Sequence, residues 1–375
     1  MIQHLYTLES DNKMKSKYID LKKKFKLSEE IRIIRGSLYN YKQLLLRMNS
    51  IRTNNNKPLL KKDELFPKDG DYKLNIIEDN LDNYGSISSS LWNLDSKQDY
   101  VWCKDNNLLL VDGHGTDVLI NWIRDLKDET LIVAFADDSN PIEFLEDRLK
   151  SSFINTKRTG ACVTAIKIRE HKIDIYKVGD AGARVYVNKE LIVETDDHSA
   201  QNRSEYLRKE KEGAKFEEIL ALYNLPPSPD GKINISKREA HYIHHSLEDV
   251  CMLSRTMGHA DKGKDSNTGK MIEHKTVNFG SEDEVLVIAC SDGVWDMVHK
   301  EEDISGYRDA SSIVLEACRR WHSNINFVHW EGHDCKMCRA KRANKDSTSV
   351  VTDQMGMLPD DISSIVWYKG HLERS

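Results

Sequence analysis

Residues 108–119 read LLLVDGHGTDVL, a strand-like run of three leucines and a valine that ends on Asp112-Gly113-His114-Gly115. Such a run has two readings. Asp-Gly is a common way to turn a chain at the end of a strand, and then the residues do nothing chemical. Alternatively, the strand is a rigid mount that holds a carboxylate and an imidazole at the rim of a sheet, where a metal and a substrate can meet them. The rest of the chain decides between the two.

Further runs rich in Val, Ile and Tyr predict strands over 107–111, 161–168, 172–178, 183–187, 284–290 and 362–368. Helical patterns fall at 117–126, 141–153, 202–213 and 311–321. The two kinds come in blocks instead of strict alternation, which points to an α+β fold in which antiparallel sheet packs against helices. Four of the strand ends carry an aspartate: Asp112, Asp180 after Gly179, Asp292 within Ser291-Asp292-Gly293, and Asp360 at the opening of the last strand. Asp99, in SKQDYVW, is a fifth candidate. Carboxylate oxygens are the ligands that hard cations such as Mg²⁺ and Mn²⁺ prefer. To read each aspartate as a separate turn residue requires the same coincidence several times.

These segments resemble, in order, the motifs of the metal-dependent serine/threonine protein phosphatases, the PPM family or protein phosphatase type 2C. The family's D-G-H-G is similar to Asp112–Gly115, and its G-D-S-R in part to Gly179-Asp180-Ala181-Gly182. T-x-D-H is matched by Thr195-Asp196-Asp197-His198, S-R-x-x-G by Ser254–Gly258, and C-D-G-x-W-D by the variant Cys290-Ser291-Asp292-Gly293-Val294-Trp295-Asp296. The closing D-N-x-[ST] resembles Asp360-Asp361-Ile362-Ser363. The resemblance implies an antiparallel β-sandwich flanked by helices in αββα layers, with a centre of two Mn²⁺ or Mg²⁺ ions at one end. It implies that Asp112 bridges both metals, that the Gly113 carbonyl completes one, that Asp292 and Asp360 hold the other, and that Asp99 contacts the centre directly or through water. Asp180, with Asp292 or Asp296, forms a third, weaker site. Two cations about 3.5–4 Å apart lower the pKa of a shared water and clamp an in-line phosphoryl displacement. A metal-bound hydroxide is then the nucleophile, and His114 protonates the departing serine or threonine oxygen.

The chain also departs from the pattern. Many eukaryotic members carry an arginine where Leu94 stands, so Lys97 or Arg255 is left to bind the substrate phosphate. Gln98 replaces a glutamate, and His259 the aspartate that usually follows S-R-x-x-G. A member that kept the fold but lost the chemistry would serve as a binding scaffold. Asp112, Asp292 and Asp360 are all retained, which favours the enzyme over this pseudophosphatase alternative.

Bulk properties bound the rest. The 375 residues divide into an N-terminal helical extension and linker over 1–84 and a phosphatase domain over 85–375 with an insertion at about 322–358. Ile31, Ile34, Leu38, Leu45 and Met48 recur near helical spacing, whereas 53–83 reads as an irregular wrap broken by Pro58 and Pro67. Within the insertion, His329, His333, Cys335 and Cys338 are four ligands suited to zinc, at irregular spacing that equally fits plain thiols and surface histidines. HYIHHS, with His241, His244 and His245, reads as a polar helical face. A net charge of −6 argues against nucleic acid, and no apolar run approaches the roughly 18 residues of a membrane span. Seven cysteines in no framework, and no signal-like N-terminus, point to a reducing compartment, the cytoplasm or nucleus, while the resemblance implies phosphoprotein substrates and a monomer is expected.

Overall fold

The computed structural model describes residues 71–81, 85–93, 97–225, 233–246, 249–260, 271–298, 302–321, 325–327, 351–353 and 360–370. The expected helix near 28–52, Leu94 and the His329/His333/Cys335/Cys338 cluster lie outside them.

Two antiparallel sheets form the body. The first runs in the order β1 (Asp71–Leu81), β2 (Gly85–Asn93), β17 (Ile362–Lys369), β14 (Val285–Cys290), β7 (Gly182–Val187) and β8 (Glu190–Glu194). The second runs β13 (Glu273–Asn278), β6 (Lys172–Val178), β5 (Thr159–Arg169), β4 (Asn107–Gly115) and β3 (Asp99–Lys104), with β12 (Met257–Gly258) paired to β5. The apolar run of β4 explains the layering. Successive side chains of a strand point to opposite faces, so a run of consecutive apolar residues needs cover on both. Leu108 and Leu110 pack inward with Ile166 and Ile175 against Val185, Val287 and Ile365 of the first sheet. Leu109 and Val111 face outward onto α1 (Val118–Arg124), α2 (Asp128–Ala134) and α3 (Pro141–Ser152), through Leu119, Ile123, Leu131 and Leu145. Each such buried leucine contributes about 2–3 kcal/mol relative to exposure.

On the far side, Trp92, Ile288 and Val366 of the first sheet meet Ile313, Val314 and Ala317 of α6 (Ala310–Trp321). Helices, two sheets and helices are therefore stacked in αββα order. α4 (Arg203–Lys211) is capped by the Asn202 side chain, and α5 (Asp292–Trp295) is a single turn at the end of β14. No described helix is long and apolar enough to cross a membrane.

Three expectations change. A third sheet joins β9 (Phe216–Leu225), β10 (Ile233–Ser246), β11 (Asp249–Cys251), β15 (Ile325–Phe327) and β16 (Val351–Asp353), with β10 and β15 parallel. HYIHHS belongs to β10 and is no helical face: Tyr242 is exposed and Ile243 buried, a period of two, and Ile243 pairs with Phe216 and Cys251. Within the stretch read as irregular, Asp71–Leu81 is a strand along β2.

Candidate metal centre

The aspartates meet where both sheets end. Asp99 and Asp112 are directly opposite on β3 and β4, and Asp112 is in turn opposite Cys162 on β5. Asp180 sits in the turn that carries the chain from β6 in the second sheet to β7 in the first. Asp292 opens α5 immediately after β14, and Asp360 and Asp361 precede β17. Asp112, Asp180 and Asp292 each place a carboxylate oxygen within 4.8 Å of the others. The Asp292 backbone N–H donates to Asp112 Oδ2 at 3.3 Å, and the Cys162 thiol donates to Asp180 Oδ1 at 3.0 Å.

The neighbouring backbone is locked. Gly113 donates to the Gln98 carbonyl at 2.9 Å, and Gln98 N–H donates to Asp361 Oδ2 at 2.6 Å, which fastens the strap before β3 to both sheets. Gly293 has to be glycine because a β-carbon there would collide with the Asp361 carbonyl. Its own carbonyl accepts from Trp321 Nε1 at 2.7 Å, anchoring the site to α6. The Gly179-Asp180 turn is held from below: Lys177 Nζ donates to the Gly179 carbonyl at 2.7 Å, and His198 Nδ1 accepts from Gly179 N–H at 3.2 Å. Since Nδ1 accepts, His198 carries its proton on Nε2, which faces Glu273 at 3.1 Å.

The electrostatics are those of a site built for cations. Burial, reinforced by Asp99, Asp180 and Asp360, raises the Asp112 carboxyl well above its ordinary range. Burial, then Asp112, Asp360 and Asp180, does the same to Asp292. Asp99 is only 1% exposed, and burial together with Asp361 and Asp360 pushes it up to about 8. Its Oδ2 is buried with no hydrogen-bond partner among the described residues. Like charges gathered in a poorly solvated recess resist ionisation, and a divalent cation reverses that balance. Asp360 and Asp296 are exposed, while Asp99 and Asp112 are buried. All-oxygen donors, one orphaned acceptor and crowded carboxylates fit Mg²⁺ or Mn²⁺.

His114, half-buried at the end of β4, contacts Thr256 and His259 through its two ring nitrogens. Lys97 is exposed with left-handed backbone (φ 50°), and is tied to this corner through its carbonyl, which accepts from Arg124. Arg255 is engaged with other partners. Its guanidinium grips Glu205 with two nitrogens and donates to the Met271 carbonyl at 2.8 Å, because Glu205 is a buried carboxylate that needs a cation.

Two residues were given no role from sequence. Arg124, at the end of α1, donates to the Asp99 carbonyl at 2.9 Å and lies near the charges of Asp361 and Asp99. Asp197 stands within electrostatic reach of Asp180.

Among solved structures, a Caenorhabditis elegans (C. elegans) sex-determining protein is 14% identical with a TM-score of 0.46, covering 76% of this chain, which spans 65% of that protein's length. The Mycobacterium tuberculosis serine/threonine phosphatase PstP/Ppp is 15% identical, TM-score 0.37, covering 80% of this chain and 98% of its own. The Toxoplasma gondii serine-threonine phosphatase 2C is 14% identical, TM-score 0.40, covering 80% and 95%. No curated protein matches the sequence significantly. The family model described as protein phosphatase 2C matches residues 110–321, more than half of the chain and a span that includes Asp112, Asp180 and Asp292. The chain belongs to the protein phosphatase 2C family.

Proposed function

We propose that the protein hydrolyses phosphoserine and phosphothreonine on other proteins, using two Mn²⁺ or Mg²⁺ ions held by its aspartates. The observation that carries this reading is the convergence of Asp112, Asp180 and Asp292 from separate strand ends. Asp112, the Gly113 carbonyl, Asp292 and Asp360 would hold the two cations. Asp99 meets the centre directly or through water, and Asp180 serves a third, weaker position with Asp292 or Asp296. Bound there, the cations supply Lewis acidity and activate water for attack on phosphorus.

The chain's own groups do the remaining work. His114 protonates the leaving serine or threonine oxygen, which departs poorly as an alkoxide. Lys97 meets the substrate phosphate, and the Arg124 guanidinium adds positive charge beside it. Residues 85–375 make the catalytic unit, with β1 added to its sheet edge and 322–358 inserted. Residues 1–84 otherwise form an extension. The protein acts as a monomer in the cytoplasm.

The test is release of phosphate from a phosphothreonine peptide with and without Mn²⁺. Release that requires the metal is expected. Metal binding by calorimetry without any release would convert the reading to a scaffold that keeps the fold and holds a partner.

A further inference from the structure

His259 occupies a place the family usually gives to aspartate, and it meets His114 directly. β5 runs between the two histidines: His114 on β4 and Gly258 on β12 are both paired with Gly160. Gly160 leaves an open floor there, since a β-carbon would collide with both imidazoles. The rings lie over it with centroids 4.8 Å apart and planes 17° from parallel, and His259 Nε2 is 3.2 Å from His114 Nδ1. His259 reaches this position from left-handed backbone (φ 49°), a conformation histidine adopts more readily than most residues, and its N–H donates to the Thr159 carbonyl at 3.0 Å.

The other side of the His114 ring meets a hydroxyl. His114 Nε2 is 2.9 Å from Thr256 Oγ1, which also lies 3.1 Å from the Ala161 carbonyl and 3.2 Å from the Met257 carbonyl. The hydroxyl has one hydrogen for these neighbours, and when either carbonyl takes it the lone pair of Thr256 faces His114. In its neutral form His114 therefore carries hydrogen on Nε2 and a lone pair on Nδ1, and His259 Nε2–H donates to that lone pair. A ring gripped at both nitrogens can neither flip nor change tautomer without losing two hydrogen bonds.

We propose that His259 is a positioning residue that holds His114 in one ring orientation and one neutral tautomer. The inference rests on the reading of His114 as the group that serves the leaving oxygen, and its test separates the two. His259→Phe keeps the stacked ring and removes the N–H; His259→Gln removes the ring and keeps an amide N–H at a similar reach. Nitrogen NMR of His114, at a pH above the usual imidazole range, reads the tautomer without reference to turnover. Wild type and His259→Gln should give the Nε2–H signature, and His259→Phe a mixture of tautomers. With it, kcat on a phosphothreonine peptide should fall about tenfold in His259→Phe, with KM within about twofold, while para-nitrophenyl phosphate is spared. A changed tautomer with equal loss on both substrates supports the positioning and sinks the leaving-group reading of His114. An unchanged His114 signature in His259→Phe, or Phe and Gln variants that behave alike, overturns the proposal.

Discussion

Two acidic regions lie at either end of the short Asp292–Met297 segment, and they are built in opposite ways. Around Asp112, burial and the neighbouring carboxylates raise the proton affinity of Asp99, Asp112, Asp292 and Asp360. Around Arg320 the acids are answered: its guanidinium donates to Glu302 at 2.6 and 2.7 Å, to Glu316 at 3.0 Å and to the Met297 carbonyl at 2.6 Å. Glu205 follows the second pattern with Arg255 and Arg208. Burial alone therefore does not distinguish a functional acid from a structural one. The distinction is whether the protein supplies the counter-charge itself or leaves it to a cation from solution.

The largest effect expected from this contrast is on turnover. Asp112→Asn or Asp292→Asn should lower phosphothreonine-peptide hydrolysis by on the order of 10³-fold, because a neutral amide holds divalent cations poorly. Metal-free, each variant should melt no lower than wild type, since a repulsion has been removed. Added Mn²⁺ should raise the melting temperature of wild type and not of the variants. A metal-free Asp112→Asn protein that unfolds easily would place both regions in the structural class.

Arg320→Met should do the reverse. Taking Arg320 away from Glu302, and leaving Glu316 to Arg319, should cost about 3–5 kcal/mol in urea unfolding, with activity per folded molecule preserved. A loss below about 1 kcal/mol would mean that the paired region is less dependent on its arginine than its geometry indicates.

His114→Gln sharpens the assignment of roles inside the recess. Hydrolysis of a phosphoserine peptide should fall about 100-fold while para-nitrophenyl phosphate, whose leaving group needs no proton, changes far less. Parallel losses would reduce His114 to a shaping residue.

The smallest effect is on acid stability. Burial raises the Glu205 carboxyl, but Arg255, Arg208 and Ser254 outweigh it and hold it at about 2, below its ordinary 4.5. Burial of Glu273 is likewise outweighed by His198 and Lys275, again to about 2. A depressed carboxyl stabilises the fold fully above its unfolded value, so this contribution should be lost as pH falls from about 4.5 towards 2. Thermal unfolding across that window should be steeper in wild type than in Glu205→Gln. Equal slopes would remove Glu205 from the account.

Much of this was legible beforehand. Lys172–Val178 forms β6 at the expected bounds, Pro141 and Asn140 mark the start of α3, and the aspartates stand out because each follows or precedes an apolar run. Strand periodicity reports a residue's face and nothing about its distant neighbours. Arg124 was missed for that reason: it lies 12 positions beyond Asp112, and only the docking of α1 returns it to Asp99. The partner of Arg255 was hidden in the same way, since Glu205 lies on a helix 50 residues earlier. HYIHHS misled because three histidines hide the alternation that Tyr242 and Ile243 carry.

The position of β17 has a consequence for timing. It lies near the end of the sequence, yet it sits in the middle of the first sheet, bonded to β2 on one edge and β14 on the other. As the chain leaves the ribosome, β2 and β14 must wait with open edges until residues 362–369 arrive between them. The approach to that strand carries Asp360 and Asp361, so the recess and the sheet are completed by the same event. A chain cut before Asp360 should leave β2 as open to protease as a loop and bind Mn²⁺ no better than Asp112→Asn. Protection of β2 in such a truncation would show that the sheet closes without its central strand. On the proposed assignment, folding and metal acquisition are thus ordered by topology, because Asp360 joins the other carboxylates only when β17 arrives.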